Sequence, residues 1–374
     1  MKPYIYADNA ATTRLSPAAL EAMLPFLKEE YGNASQPYAF SRPVKKALKK
    51  AREQIASCIH AEPSEIYFTS GGTESDNWVI KGFTAGNAEQ KAIITSAIEH
   101  HAVLNACQAV ERLGYPVAYL LPDKSGVISP GALHNIITDR TGLVSVMFSN
   151  NEIGTVQPIR ELAALAQCNG ALFHTDAVQA VGHTRIDVKE LGVDMLSASA
   201  HKFNGPKGIG FLYVRHGVSL PSLLDGGAQE SGHRAGTENV ASIVGMATAL
   251  AENCAQLEET GRYLLTLEER LTAALRGSGI DFIRNGAQEH MPGCVSLSLK
   301  NAEGEAILHR LDLMGICIST GSACDSVNTQ VSHVLQAIEV PDEYAKGTVR
   351  ISLGKANTKE EVDEIASALI KILK

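Results

Sequence analysis

Lys202 lies in SASAHKFNGPKGIG (197–210), just past a strand-like run and among small residues. A lysine in such a place is desolvated, and a desolvated amine can join a carbonyl cofactor as a Schiff base. Gly205, Gly208 and Gly210 allow a tight turn around it. An exposed turn lysine is the plainer alternative for this segment taken alone. Upstream, TSGGTESDN (69–77) sets two glycines and a threonine between a strand and a helix. Backbone N–H groups and the helix dipole at such a junction suit a phosphate, although the same residues also make an ordinary turn. The spacing is neither GxGxxG nor a Walker loop, so no nucleotide is implied. In HTDAVQA (174–180), Asp176 falls at a strand end with Gln179 three residues on. An aspartate there can pair with a protonated ring nitrogen of a cofactor, or it can cap a helix.

Apolar runs of strand length position these residues, at 66–69, 92–96, 117–121, 143–148, 171–174, 195–197 and 210–214. Helical patterns at 75–85, 102–113 and 159–168 lie between several of them. The alternation predicts an α/β domain whose mostly parallel, seven-stranded sheet is covered on both faces. Burial on both faces accounts for the unbroken apolar run LVSVMF. The texture changes near Thr237. Residues 239–276 predict one long helix, and beyond it short strands (281–284, 295–299, 348–352) alternate with helices (303–314, 331–338, 359–373) in a smaller α+β unit. The expected division is a large domain over 15–250 and a small domain from 1–14 and 251–374. The helix over 17–30 is expected to pack against the small unit. A basic run from Arg42 to Arg52 reads as the solvated face of an amphipathic helix, with a docking patch for an acidic partner or RNA as the alternative.

Composition narrows the function classes. With 374 residues, 45% hydrophobic and 20% charged, the chain has the make-up of a folded globular protein of about two domains. Its net charge of −8 disfavours a role in wrapping nucleic acid. The longest uncharged stretch, 162–175, is 14 residues, short of the ~18 a membrane span requires. The start MKPYIYADNAATT gives no support for a signal peptide. Seven scattered cysteines, none spaced C-x-x-C, argue against a disulfide framework or a zinc ribbon and point to a reducing, cytoplasmic setting.

Ten ordered segments then resemble one family. They are YADNAATT (6–13), GNAS (32–35), SGGTESDN (70–77), IEHHAV (98–103), SNNEIGTVQPI (149–159), HTDAVQ (174–179), SAHKFNGPKG (199–208), GGAQESGHRAGTENV (226–240), STGSAC (319–324) and VRISLG (349–354). Together they resemble the fold-type I pyridoxal-phosphate enzymes of the class V aminotransferase group, and within it the cysteine desulfurases. The resemblance implies a homodimer that binds pyridoxal 5'-phosphate. It implies conversion of L-cysteine to L-alanine, with sulfur passed to an acceptor such as an iron–sulfur scaffold or a thiolation enzyme. By the same resemblance Lys202 carries the cofactor, and His100 stacks over its ring. His100 alone, beside His101, also reads as a buried structural histidine or a metal ligand, but no third ligand at zinc-like spacing supports a metal. Asp176 would hold the ring nitrogen, Gln179 the ring hydroxyl, and Asn151 would lie near ring and substrate. Gly72, Thr73, Ser199 and His201 would hold the phosphate, joined by Thr237 from the other subunit. Arg350 would bind the substrate carboxylate, assisted by Asn33.

Cys324 separates a desulfurase from an ordinary transaminase, because only the former needs a thiol to take up sulfur. The resemblance implies a persulfide on Cys324, in a loop of small and polar residues. Two departures stand out. Asp325 follows Cys324 directly, where the family often has an uncharged residue, and a neighbouring carboxylate disfavours the thiolate. NASQPYAF (33–40) differs from the Pro-Ser-rich sequence common after this asparagine. A selenocysteine lyase on the same scaffold is the alternative enzyme, and a non-catalytic sulfur-transfer scaffold is the rival from another class.

Overall fold

The computed structural model describes residues 4–320 and 331–374, so Cys324 and Asp325 lie outside the described residues. Seven strands form the main sheet: β2 (Ile66–Thr69), β3 (Ala92–Ser96), β4 (Val117–Leu120), β5 (Thr141–Ser145), β6 (Leu172–Asp176), β7 (Met195–Ser199) and β8 (Gly210–Val214). Their order is β2-β8-β7-β6-β5-β3-β4. Only β8 runs against its neighbours; all other pairs are parallel. The α/β class with a seven-stranded, mostly parallel sheet is therefore observed.

Successive residues of these strands feed different cores. Ile94, Val144, Leu196 and Phe211 face one side, with α2 (Arg42–Cys58) and the helix Ile159–Cys168. Ile93, Leu143, Met195 and Leu212 face the other, with Trp78 and Val79 of α3 (Gly72–Gly86) and Val103 of α4 (His101–Glu111). A strand that buries both faces must be apolar throughout, which is why these segments were legible as continuous runs. Arg42, Lys45, Lys46, Lys49 and Lys50 face solvent on α2 or border it, while Val44, Ala51 and Ile55 are buried.

A second core surrounds an antiparallel sheet of β9 (Phe282–Asn285), β10 (Cys294–Leu299) and β12 (Thr348–Ser352), in the order β12-β10-β9. Leu264, Leu267 and Leu271 pack here with Val362 and Ile365 of the helix Lys359–Leu373. The short strand β1 (Ile5–Tyr6) joins this region by pairing in parallel with β11 (Ile316–Cys317).

Two expectations need correction. The segment 239–276 is not one helix but two, Val240–Cys254 and Leu257–Gly277. The first packs in the core of the main sheet and the second in the core of the small one, so the chain breaks where it changes body. Asn253 marks the junction: its Nδ2 donates to the Phe203 carbonyl and its Oδ1 accepts from Lys355 Nζ. The helix α1 (Pro17–Lys28) packs against Val240–Cys254 on the large body rather than on the small unit. Gly245 makes room for it, since a Cβ there would lie 2.6 Å from Met23 Sδ.

Gly210 opens β8 between two neighbours, opposite Thr69 on one side and Ser199 on the other. A Cβ on Gly210 would stand 2.7 Å from Gly71 Cα and would overlap the Ala198 carbonyl. Backbone cannot yield as a side chain can. Gly210→Ala should therefore destabilise the protein by about 1–3 kcal/mol, read as a lower midpoint in urea unfolding. An unchanged midpoint would show that this edge of the sheet has slack.

Candidate active site

Ligands in open α/β sheets bind beyond the carboxyl ends of the parallel strands. A cavity of about 580 Å³ lies there, bordered by Lys202, His100, Asn151, Asp176, Gln179, Gly72, Thr73, Ser199, His201 and Arg350. Ten of the residues singled out in the sequence thus come together from segments spread over nearly 280 positions (350 − 72 = 278).

Lys202 closes a single 3₁₀ turn that follows β7 directly. Its Nζ donates to the carbonyls of Ala10 (2.6 Å) and Ala11 (3.0 Å). Gln179 Nε2 donates to the same Ala10 carbonyl at 3.0 Å. His201 belongs to the same net: its Nδ1 is 3.1 Å from Thr12 Oγ1, and its carbonyl accepts from Thr13. The N-terminal segment therefore forms one wall of the cavity through its backbone.

Asp176 ends β6, and its Oδ1 accepts from Val178 N–H at 2.9 Å. Burial raises its carboxyl, while His100, the Val178 N–H and Lys202 oppose that rise. His100 caps α4: its Nδ1 accepts from Ala102 N–H, which leaves the proton of the neutral ring on Nε2. Burial, helped by Lys202 and His101, lowers the His100 pKa against the pull of Asp176. Arg350 is almost wholly buried; its Nη1 donates to the Asn151 carbonyl (2.7 Å) and its Nη2 to Asp8 Oδ1 (2.8 Å). Its Nε is buried and has no hydrogen-bond partner among the described residues.

Three of the expected residues fall elsewhere. Asn33 does not border the cavity: its Oδ1 accepts from Ser35 N–H in its own turn, and its carbonyl accepts from Ser41 Oγ. Thr237 is exposed and also lies outside this cavity. Cys324 is outside the described residues.

The cavity also holds residues to which the sequence assigned no role. Asp76 and Glu99 border it, both fully buried. Asp76 Oδ1 has no hydrogen-bond partner among the described residues and lies 3.8 Å from His174 Nε2. Burial and the nearby Asp176 push the Asp76 carboxyl well up, and burial takes Glu99 to about 8. Three carboxyls beneath one floor favour protons on Asp76 and Glu99 over three charges. Their signal was present in SGGTESDN and IEHHAV, but a carboxylate in a polar motif reads as solvated. Glu74 is another such residue, also at the cavity border. A second cavity of about 340 Å³ lies behind the segment 9–17 and shares Ala10 and Gln179 with the first.

Residues 5–365 match the model of the aminotransferase class-V family. The chain belongs to that family. Among curated class-V relatives, cysteine desulfurase IscS of Methanosarcina thermophila is 48% identical over 370 residues, covering 99% of this chain and 92% of that one. A solved NifS-like protein superposes with a TM-score of 0.94 at 38% identity, over 99% of each chain. A structure of SspA in complex with cysteine aligns with a TM-score of 0.83 at 35% identity, over 95% of this chain and 100% of that one. No helix among the described residues is long and apolar enough to cross a membrane.

The buried histidines set a pH dependence. Burial, Lys202 and Lys207 lower His201 to about 4, and burial lowers His174 to about 3, against 6.5 for a free side chain. Between these values and 6.5 these two histidines bind more protons in the unfolded chain than in the folded one, so each takes away stability as pH drops through that window, while the raised Asp76 and Glu99 carboxyls act in the opposite sense. From pH 6.5 to pH 4 the urea midpoint of the cofactor-free His201→Asn protein should therefore fall less, or rise more, than that of the parent. Parallel pH profiles for the two proteins would remove His201 from the account.

Proposed function

We propose that this chain is a pyridoxal-phosphate-dependent cysteine desulfurase, which converts L-cysteine to L-alanine and holds the sulfur as a persulfide on Cys324. The observation that carries this reading is the meeting of Lys202, Asp176 and Arg350 on one cavity, in a chain that also contains STGSAC. The names of its class-V relatives support the same reaction.

The residues present fit the cofactor. The first N–H groups of α3 have no helical partners, as at any helix start, and suit a phosphate. A Cβ on Gly72 would lie 2.6 Å from Val178 Cγ2, so this cradle admits no side chain. The buried Asp176 carboxylate suits a protonated ring nitrogen. When bound, pyridoxal phosphate supplies the electron sink that lets a substrate carbanion form.

The chain's own groups account for the rest. Lys202 Nζ, oriented by two backbone carbonyls, takes the proton from the substrate Cα. The Arg350 guanidinium, which borders the cavity, receives the substrate carboxylate. His100 carries a transferable proton on Nε2. The Cys324 thiolate bonds to the substrate sulfur as the Cβ–S bond breaks; the bonding pair stays with Cβ, which takes one proton, and Cα recovers the proton held on Lys202 to complete alanine. The persulfide then meets an acceptor protein, an iron–sulfur scaffold or a thiolation enzyme, in the cytoplasm.

The protein acts as a symmetric homodimer. Thr237 is exposed on its own subunit, in keeping with a role as a phosphate ligand in the partner's site.

Borohydride reduction of the holoenzyme followed by peptide mapping should fix the pyridoxyl group on Lys202; a label at another lysine would end this reading. Cys324→Ala should still bind cofactor and form a coloured complex with cysteine, yet lose persulfide formation by on the order of a thousandfold. Near-normal alanine production by that variant without added thiol would instead favour a selenocysteine lyase.

A further inference from the structure

The segment GGAQESGHRAGTENV (226–240) is tied to the body of its own subunit by two Arg–carboxylate pairs of opposite polarity. At one end, Glu230 accepts from Arg52 Nη2 (2.6 Å) and Nη1 (2.9 Å), and also from Phe68 N–H (2.9 Å). At the other, Arg234 Nε donates to Glu74 Oε1 (2.8 Å) and Arg234 Nη2 to Glu74 Oε2 (3.0 Å). Bidentate pairs of this kind fix direction as well as distance. Between them Glu230 and Ser231 sit at φ +46° and +57°, a left-handed backbone that non-glycine residues keep only where their surroundings enforce it.

Glu74 does more than receive Arg234. It stands in the first turn of α3, and its Oε2 also accepts from Ser70 N–H at 2.8 Å. It thereby braces the turn from Ser70 to Thr73, where the phosphate would bind. A carboxylate beside a phosphate site repels the ligand unless it is neutralised, and Arg234 does that: the two side chains are only 11% and 22% exposed. Hydrogen bonds from Arg234 and Ser70 lower the Glu74 pKa against burial, so the pair stays ionised. Three residues beyond Arg234 lies the exposed Thr237.

We infer that Glu74 and Arg234 are positioning residues that join the two active sites: they hold the segment that presents Thr237 to the partner in register with the phosphate turn of their own subunit. This rests on the composite-site reading above. Its consequence is that breaking the pair in one subunit weakens cofactor binding in the other.

Heterodimers test this. One subunit carries Lys202→Ala, so only the other can be labelled by borohydride in the presence of pyridoxal phosphate. The fixed label at that single Lys202 is measured against cofactor concentration. Adding Arg234→Gln to the Lys202→Ala subunit should raise the half-saturating concentration at the intact subunit roughly tenfold, the scale of a lost charge-assisted bond. Glu74→Gln in the same position keeps an acceptor for Ser70 and should give a smaller rise, which guards against a folding defect in the Arg234 variant. Thr237→Ala in the same subunit is the reference for the composite site. If Thr237→Ala weakens labelling across the dimer and Arg234→Gln and Glu74→Gln do not, the positioning role is wrong and the composite site stands. If none of the three acts across the dimer, the composite site fails, and the inference with it.

Discussion

The backbone of Ala10 is where the two bodies of the protein are tied to the chemistry. Its carbonyl accepts from Lys202 Nζ and Gln179 Nε2, while its N–H donates to Ser352 Oγ at 2.9 Å. Lys202 and Gln179 follow strands of the large sheet; Ser352 ends a strand of the small one. A lysine Nζ is a mobile tip on a long stem, and its position is only as sharp as the acceptors that hold it. Here those acceptors are backbone atoms, which cannot change rotamer. Any shift of the small body moves Ser352 and therefore the wall on which the lysine rests.

The same junction organises charge. Asp8, two residues before Ala10, pairs with Arg350, whose other arm reaches the Asn151 carbonyl. A buried guanidinium needs its donors satisfied, and this one retains an Nε with no partner among the described residues. Opposite it, the floor gathers Asp176, Asp76 and Glu99 in a region that excludes water. Low dielectric makes the cost of a second anion steep, and of the three carboxyls Asp176 is the one whose rise His100 and Lys202 oppose. Protein interiors seldom leave such groups unsatisfied.

Much of this was legible in the sequence for identifiable reasons. The strands 66–69, 92–96 and 210–214 appear with the expected bounds because burial on both faces leaves an uninterrupted apolar signal. The C-terminal helix Lys359–Leu373 was clear because Thr358 and Glu361 form a capping box before an amphipathic run. The break at 255–256 was not, since NCAQLEE contains neither glycine nor proline. It arises from tertiary packing, as two helices serve two cores. Nor did the pattern of α1 say which body it would meet; that depends on the hollow at Gly245, which only the assembled structure reveals. The site residues were legible through ordered motifs. Ala10 was invisible because its contribution is a carbonyl, and every residue has one. The place of Asn33 was not legible either, because its Oδ1 serves the backbone of its own turn.

The tie between Asp8 and Arg350 spans 342 positions, and that between Ala10 and Lys202 spans 192. A ribosome delivers the chain from its N-terminus, and domains generally fold as they emerge. The main sheet can close once β8 has been made, and the Ala10 carbonyl then has its donors Lys202 and Gln179, yet β1, Asp8 and the Ala10 N–H must wait for β11 and β12. The first residues synthesised are thus among the last to settle. Until then the backbone acceptors of Lys202 lack their tie to the small sheet, and the active site is completed only when nearly the whole polypeptide has left the ribosome.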